Sequence, residues 1–360
     1  MATSPARAWT YTTGPDTLQT TTIHVPRANE IKGLGTTAHM LVKINAAALN
    51  PVDVQMMNLP FWKIPGNGKP KTCVCDFSAT VIAGGRTGFV QGDRVFGLTM
   101  KPMNEAGGAL AEMAQFDMAN TVAAKVPDGW SHEQAAAISL VWLTAKQCIE
   151  SVAQWVEESS TKRVAVLGGS SAVGIYTIKL AKQRGWKVVA TSSERNKDFV
   201  TSTLGADVHV DYTKGGVRSG VEKLEPAAVI DCVGGTECIA LPSSKRYVTI
   251  VGDKTGRSSM GGPYTYYDFF GPMSAYRAAK QWLRWAKGQY GYGEKYDVII
   301  LGMKTEWLEE AAKTLRPDEI YIDSVFSFQD AKKAFDRLNT GRARGKVVVK
   351  ISDSGHLNTA

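Results

Sequence analysis

The chain has 360 residues, more than one hydrophobic core of roughly 250–300 residues accommodates, so two domains are expected. With 44% hydrophobic and 21% charged residues it reads as an ordinary globular protein, and it has no run of ~18 apolar residues to span a membrane. The formal charge of +8 admits a nucleic-acid or phosphate-bearing partner.

In chain order, the N-terminus "MATSPARAWTYTTG" has one arginine, no apolar signal core and no Arg-rich amphipathic pattern, so a cytoplasmic location is expected. Residues 8–24 and 37–50 are β-rich, and a Pro/Gly-rich loop, "NLPFWKIPGNGKPKT", follows from Asn58. "CVCDFSATVIAGG" and "GDRVFGL" read as short strands with turns. Cys73, Cys75, Cys148, Cys232 and Cys238 are scattered and odd in number, so reduced thiols are expected. Cys73 and Cys75 form a C-x-C, but no second pair or histidine cluster follows to complete a tetrahedral site, and no metal is expected.

From Ser131 the pattern changes. "SHEQAAAISLVWLTAKQCIESVAQWVEE" is helical, with Ser131 as N-cap and Glu133 and Gln134 just after it. Strands at 163–167, 187–191, 207–210, 227–232 and 245–251 then alternate with helices at 172–184 and 195–203. The runs "VAVL", "KVVAT" and "AAVIDCV" lack period-two polarity, as strands buried on both faces should. The fold class is α/β, a doubly wound parallel sheet of the Rossmann kind preceded by a β-rich domain. Further on, Arg277, Lys280, Arg284 and Lys287 lie three and four apart along a helix. They read as a solvated helix face and not as a nucleic-acid groove. The positive excess then suits a small phosphate-rich anion.

"RVAVLGGSSAVGIYTIKLAK" has the strand, glycine turn and helix with which a dinucleotide site begins. Gly168 can make the tight turn and Gly174 lets the helix pack closely, while Ser171 stands where the middle glycine of G-x-G-x-x-G would be. That serine narrows the backbone's approach to phosphate but brings a hydroxyl. Two other readings stay open: a hydrolase elbow at Ser170, with His209 or His356 as its base, and a bare packing turn. At the end of the second strand, where an NAD site wants an acid, stands Ser192, with Ser193, Arg195 and Lys197 beside it. Hydroxyls and cations favour a 2′-phosphate, hence NADPH, against the nearby Glu194.

Eight segments in order, "AAALNPVDVQ", "QGDRVFG", "AAAISLVWLTA", "GGSSAVG", "LGADVHVDY", "DCVGG", "YVTIVG" and "GRARGKVVV", cover most of the chain. Together they resemble the zinc-independent medium-chain dehydrogenases/reductases of the quinone oxidoreductase and enoyl reductase branch, including fungal trans-acting enoyl reductases. The resemblance implies a GroES-like catalytic domain of residues 1–126 completed by 325–360, a Rossmann NADPH-binding domain of 127–324, and a cleft holding the nicotinamide. Zinc-dependent relatives have a cysteine near Asn50 and a G-H-E where this chain reads Val74, Cys75, Asp76, so zinc chemistry is not expected.

The resemblance also implies that Gly168, Ser170, Ser171, Ala172, Val173 and Gly174 meet the pyrophosphate, and that Ser192, Ser193, Lys197 and Tyr212 surround the 2′-phosphate. Thr144, Val251, Gly252 and Lys346 would approach the nicotinamide. Tyr212 has the alternative of capping a core, and Lys346 of lying exposed beside the last strand. The implied reaction is hydride transfer to an enone, enal, enoyl thioester or quinone, with Thr144, Asn50 or Lys346 donating a hydrogen bond to the enolate oxygen. Asn50 has the equal alternative of holding the "NPVD" turn. Gln55 stands where trans-acting enoyl reductases often have lysine, which puts a synthase partner in doubt, and a non-enzymatic NADPH-binding protein is the rival. Phe61, Trp62, Met103, Trp142, Tyr264, Tyr266, Tyr267 and Phe270 are candidate walls of an apolar pocket. Residues 261–296, aromatic and basic, are expected to bear on whether the protein is a monomer, a homodimer or a docking partner.

Overall fold

The computed structural model describes residues 2–59, 64–65, 67–252 and 272–352, with 272–274 by backbone alone. They form two compact units, one of 2–140 and 303–352, the other of 141–252 and 272–302.

The first unit opens with the antiparallel pair β1 (Thr3–Tyr11) and β2 (Gln19–Pro26). It continues through β3 (His39–Leu49), α1 (Pro51–Met57), β4 (Lys71–Thr72), β5 (Asp76–Ala83), β6 (Arg94–Thr99), β7 (Met113–Asp117), β8 (Thr121–Lys125) and α2 (His132–Ala136). The chain crosses to the second unit within α3 (Ser139–Glu157). There follow β9 (Arg163–Leu167), α4 (Ala172–Gln183), β10 (Lys187–Ser192), β11 (Val208–Asp211), α5 (Val217–Glu222), β12 (Ala228–Asp231), β13 (Arg246–Thr249), α6 (Pro272–Gln289) and β14 (Lys295–Val298). The first unit is completed by α7 (Thr305–Thr314), β15 (Ile322–Ser327), α8 (Ala331–Asn339) and β16 (Lys346–Lys350).

The sheet of the second unit is parallel throughout, in the order β11-β10-β9-β12-β13-β14. Strand order reverses between β9 and β12, the topological switch point at which doubly wound sheets bind ligands beyond their carboxyl ends. The expected apolar runs are its buried centre: Val164 to Leu167 and Ala228 to Ile230 are fully covered.

In the first unit the order β15-β16-β3-β5-β6-β8 makes β3 central, and β7 also pairs with it. Its core includes Phe77 stacked on Phe116 at 4.3 Å, with Met40, Val42, Val95 and Val347 in the same cluster. Register matters more here than packing. Val347 pairs with Leu49 and Ala48 with Asp76, so the first residue of β16, the residue after β3 and the first residue of β5 meet at one end of the sheet.

Several sequence expectations change. The helix expected from Ser131 is two, α2 and α3, because the Asp76 carboxylate accepts the Leu140 N–H at 3.0 Å and starts a new helix there. Ser131 does cap α2, its Oγ accepting from Gln134 N–H at 3.1 Å. The helix expected at 195–203 is present in irregular form, a 3₁₀ turn at Glu194–Asn196 running on through Lys197 and Asp198 into a π turn, Phe199–Thr203, marked by Leu204 N–H reaching Phe199 O at 3.0 Å. Strand β14 was not anticipated, and its "KYDV" carries too few apolar residues to announce a strand.

Candidate functional site

β9 ends at Leu167, and Gly168 turns the chain at φ +82 while its N–H donates to Thr191 Oγ1 at 2.9 Å. A Cβ there would lie 2.2 Å from Val233 Cγ1, so glycine is required twice over. A Cβ on Gly174 would lie 2.2 Å from the Gly168 carbonyl oxygen, which is the close helix–strand packing expected of that position. Ser171 is the N-cap of α4, and its Oγ accepts from Gly174 N–H at 3.1 Å and also hydrogen-bonds the Cys232 thiol. The Ser171 oxygen thus caps the helix, while its own O–H remains a donor. Ala172 and Val173 supply first-turn amides that have no acceptor within the helix, the groups that bind anions at helix N-termini.

Ser170 Oγ is 3.2 Å from Asn196 Nδ2, and His209 Nε2 engages Ser192 Oγ at 2.9 Å instead of Ser170. The described residues thus place no Ser–His pair at the turn, against the elbow reading, and His356 lies outside them.

Beyond β10, Ser192 and Ser193 are buried, and Asn196 Nδ2 reaches from Ser170 to Ser193 Oγ. Tyr212 follows β11 and is 43% exposed, so it caps no core. Glu194 is half exposed and held by two lysines, Lys214 at 3.0 Å and Lys197 at 3.9 Å. Lys214 and Asn196 carried no signal in the sequence, and His209 was a candidate only as a base for Ser170, not as a partner of Ser192. Lys214 and His209 come to the place only through the β10–β11 register, in which Ser192 faces Asp211.

On the other side of the switch point, Asp231 ends β12 wholly buried. Its Oδ1 accepts from Val233 and Gly234 N–H at 3.0 Å, and its Oδ2 accepts from Thr249 Oγ1 at 2.9 Å. Thr249 Oγ1 in turn accepts from Val251 and Gly252 N–H at 3.2 and 3.0 Å. One carboxyl therefore shapes the loops after β12 and β13, and burial pushes it up to about 6. Thr144 sits on α3, 7% exposed.

The sharpest cluster in the first unit is Lys346, Asp76 and Asn50. Lys346 is 3% exposed and not, as one reading had it, beside the strand in solvent. Its Nζ donates to Asp76 Oδ2 at 2.9 Å and to Asn50 Oδ1, while Asn50 Nδ2 donates to Asp76 Oδ2 at 2.9 Å. The "NPVD" turn is a capping box in which the Asp53 carboxylate accepts from Asn50 N–H at 2.7 Å, and also from Cys75 N–H at 3.0 Å, so Asn50 serves both the turn and the cluster. Burial pushes the Asp76 carboxyl up, with Lys346 and Asn50 opposing, and raises Asp53 to about 6. The buried Cys75 thiol is pushed far up and stays protonated.

Of the expected pocket walls, Trp142 is core, fully buried with its ring edge on Tyr176, and Met103 is half-buried. Phe61, Trp62, Tyr264, Tyr266, Tyr267 and Phe270 lie outside the described residues. No described helix is long and apolar enough to cross a membrane.

Comparison with known proteins agrees with this arrangement. Residues 36–128 match the alcohol dehydrogenase GroES-like domain and residues 204–349 the zinc-binding dehydrogenase family. The chain is 29% identical to "Trans-enoyl reductase pgmF" of Aspergillus terreus over 98% of each chain. It is 30% identical to "NAD(P)H oxidoreductase RTN4IP1, mitochondrial" of Mus musculus, over 87% of this chain and 81% of that one. Its fold is that of the quinone oxidoreductase from Coxiella burnetii, with a TM-score of 0.73, 24% identity, and 97% of this chain and 100% of that one covered. The GroES-like sheet, the doubly wound sheet with its glycine turn, and these relatives together place the chain in the medium-chain dehydrogenase/reductase family of oxidoreductases.

Proposed function

We propose that the protein is a zinc-independent, NADPH-dependent reductase of activated C=C bonds. The observation that carries the NADPH assignment is the surround of the β10 end. Buried Ser192 and Ser193, with Lys197, Lys214 and Tyr212 beside them, match a 2′-phosphate, and Glu194 is neutralised by its two lysines instead of standing ready for a ribose hydroxyl. The glycine cradle at Gly168 and Gly174 fits the pyrophosphate, where the α4 amides of Ala172 and Val173 would hold it and Ser170 would flank it.

Zinc does not fit this chain. Where zinc-dependent relatives place ligands, the Lys346 ammonium already sits on Asn50 and Asp76. Bound NADPH would supply the hydride to the β-carbon of the acceptor. The chain's own task is to hold the ring against Val251 and Gly252, whose loop Asp231 and Thr249 fix, and to offer the enolate oxygen a donor. Thr144, on α3, is our choice for that donor, and Asn50 and Lys346, joined to Asp76, act as positioning residues. In this reading the catalytic domain is 1–126 with 325–360 and the cofactor domain 127–324, and the protein is cytoplasmic, as a monomer or homodimer.

The named activity of the Aspergillus relative favours an enoyl acceptor over a quinone, for which the support is the fold alone. A carrier-tethered acceptor and a synthase partner would follow from the same relative, with Gln55 as the departure. The test is titration with NADPH and NADH followed by a panel of enals, enones, enoyl thioesters and quinones. We expect NADPH to bind at least tenfold more tightly, and K197A/K214A to erase about that preference. NADH preference in both forms overturns the cofactor assignment. Tight NADPH binding without turnover of any acceptor favours the non-enzymatic rival.

A further inference from the structure

The inner side of helix α6 packs Gln281 against Gly252, but its outer side has no part in the chemistry above. On a wheel of 100° per residue the half-buried positions Arg277, Gln281, Arg284 and Gly288 fall on one side, where Arg284 lies over the Tyr296 ring of β14 at 5.8 Å, while half-buried Ala286 falls on the other. The opposite side carries Ala275, Ala279, Trp282, Leu283 and, one residue past the helix, Tyr290. Trp282 is 62%, Leu283 51% and Tyr290 78% exposed. An apolar stripe facing water on a helix is uncommon and marks an interaction surface. Lys280 and Lys287 border it at one edge, both exposed. The helix has four cations and no acidic residue, so its cations do more than solvate a face.

We propose that this stripe docks the protein on an anionic lipid surface. Three features select that occupant. The stripe is convex, and a bilayer interface accepts a convex helix without a matching groove. Its apolar members are accompanied by exposed Tyr276, Trp285 and Tyr292, aromatic rings suited to the headgroup region. The edge formed by Lys280 and Lys287 is cationic, so an antiparallel second copy brought stripe to stripe would set these lysines against their own kind, whereas anionic headgroups neutralise them. The helix would lie in the interface plane, consistent with the absence of any described membrane-crossing helix.

The test is co-sedimentation of the full chain with phosphatidylcholine vesicles, with and without phosphatidylserine, alongside analytical ultracentrifugation and a single-stranded RNA control. We expect binding to the phosphatidylserine vesicles only, weakened by salt, reduced at least about tenfold in K280E/K287E, and reduced likewise in L283E. All three sites are exposed, and an unchanged thermal midpoint confirms that each variant is folded. The wild-type comparison of the two vesicle types decides even if a variant misfolds. Failure to bind phosphatidylserine vesicles, equal binding to phosphatidylcholine alone, or undiminished binding by folded K280E/K287E overturns the proposal. So does self-association abolished by L283E, or RNA binding without vesicle binding.

Discussion

Removing the Lys346 ammonium leaves the Asp76 carboxyl, fully buried, without its cation. Breaking a buried pair on one side typically costs about 3–5 kcal/mol, while replacing both partners is far less damaging. We therefore expect K346M to lose stability of that order in urea unfolding, and K346M/D76N to recover most of it. A surface role for Lys346 would leave both variants near wild type. At this scale the sequence named residues that the fold brings together, Asn50 and Lys346, without naming what joins them. Asn50 and Lys346 were recognisable as functional candidates, but the acid that binds them, Asp76, was visible only as a departure from G-H-E. Nothing local to residues 50, 76 and 346 says that they touch, because their contact is made by the β16–β3–β5 register.

The glycine turn and its helix were legible as an element, since the strand, turn and helix signals are contiguous and obey local rules. The exception within it, Ser171, became intelligible with the cap: the side chain that replaces glycine satisfies an α4 amide. Gly174 carries a sharper consequence. A methyl there meets the Gly168 carbonyl oxygen, a backbone atom that cannot rotate away, so G174A must push α4 off the turn. The expected cost is about 1–3 kcal/mol of stability in urea together with loss of NADPH binding by fluorescence titration. Wild-type affinity in G174A would show that the turn does not grip the cofactor. Where local signals are weak the form stayed hidden: the helix over 194–203 is 3₁₀ and π at its two ends, and the edge strand β14 depends on its neighbours.

Across the whole molecule, buried and exposed carboxyls pull the pH dependence of stability in opposite directions. Asp93, Asp207 and Asp323 are held below the ordinary carboxylate range, chiefly by hydrogen bonds and lysine or arginine partners that outweigh burial. Their contribution is present above the unfolded value and lost as pH falls. Asp231 is raised by burial from 3.8 to about 6, so the folded chain keeps a proton that the unfolded chain has released, and stability falls as pH rises across that window. Replacing it with asparagine removes this slope. D231N should gain on wild type by up to about 2–3 kcal/mol as pH rises through about 6, read as the difference between their urea midpoints across pH. A difference that does not vary with pH would mean that Asp231 is already ionised in the fold.

By itself the sequence determined the two-domain class, the parallel doubly wound sheet, the glycine turn and the family, because these rest on periodicity, turn chemistry and motif order along a contiguous chain. The tertiary structure alone decided that Lys346 is buried against Asp76 and Asn50, that His209 joins Ser192 and Lys214 joins Glu194, and that α6 turns an apolar stripe to water. These are contacts and exposures between residues distant in sequence, set by strand register and helix rotation, which no local pattern encodes.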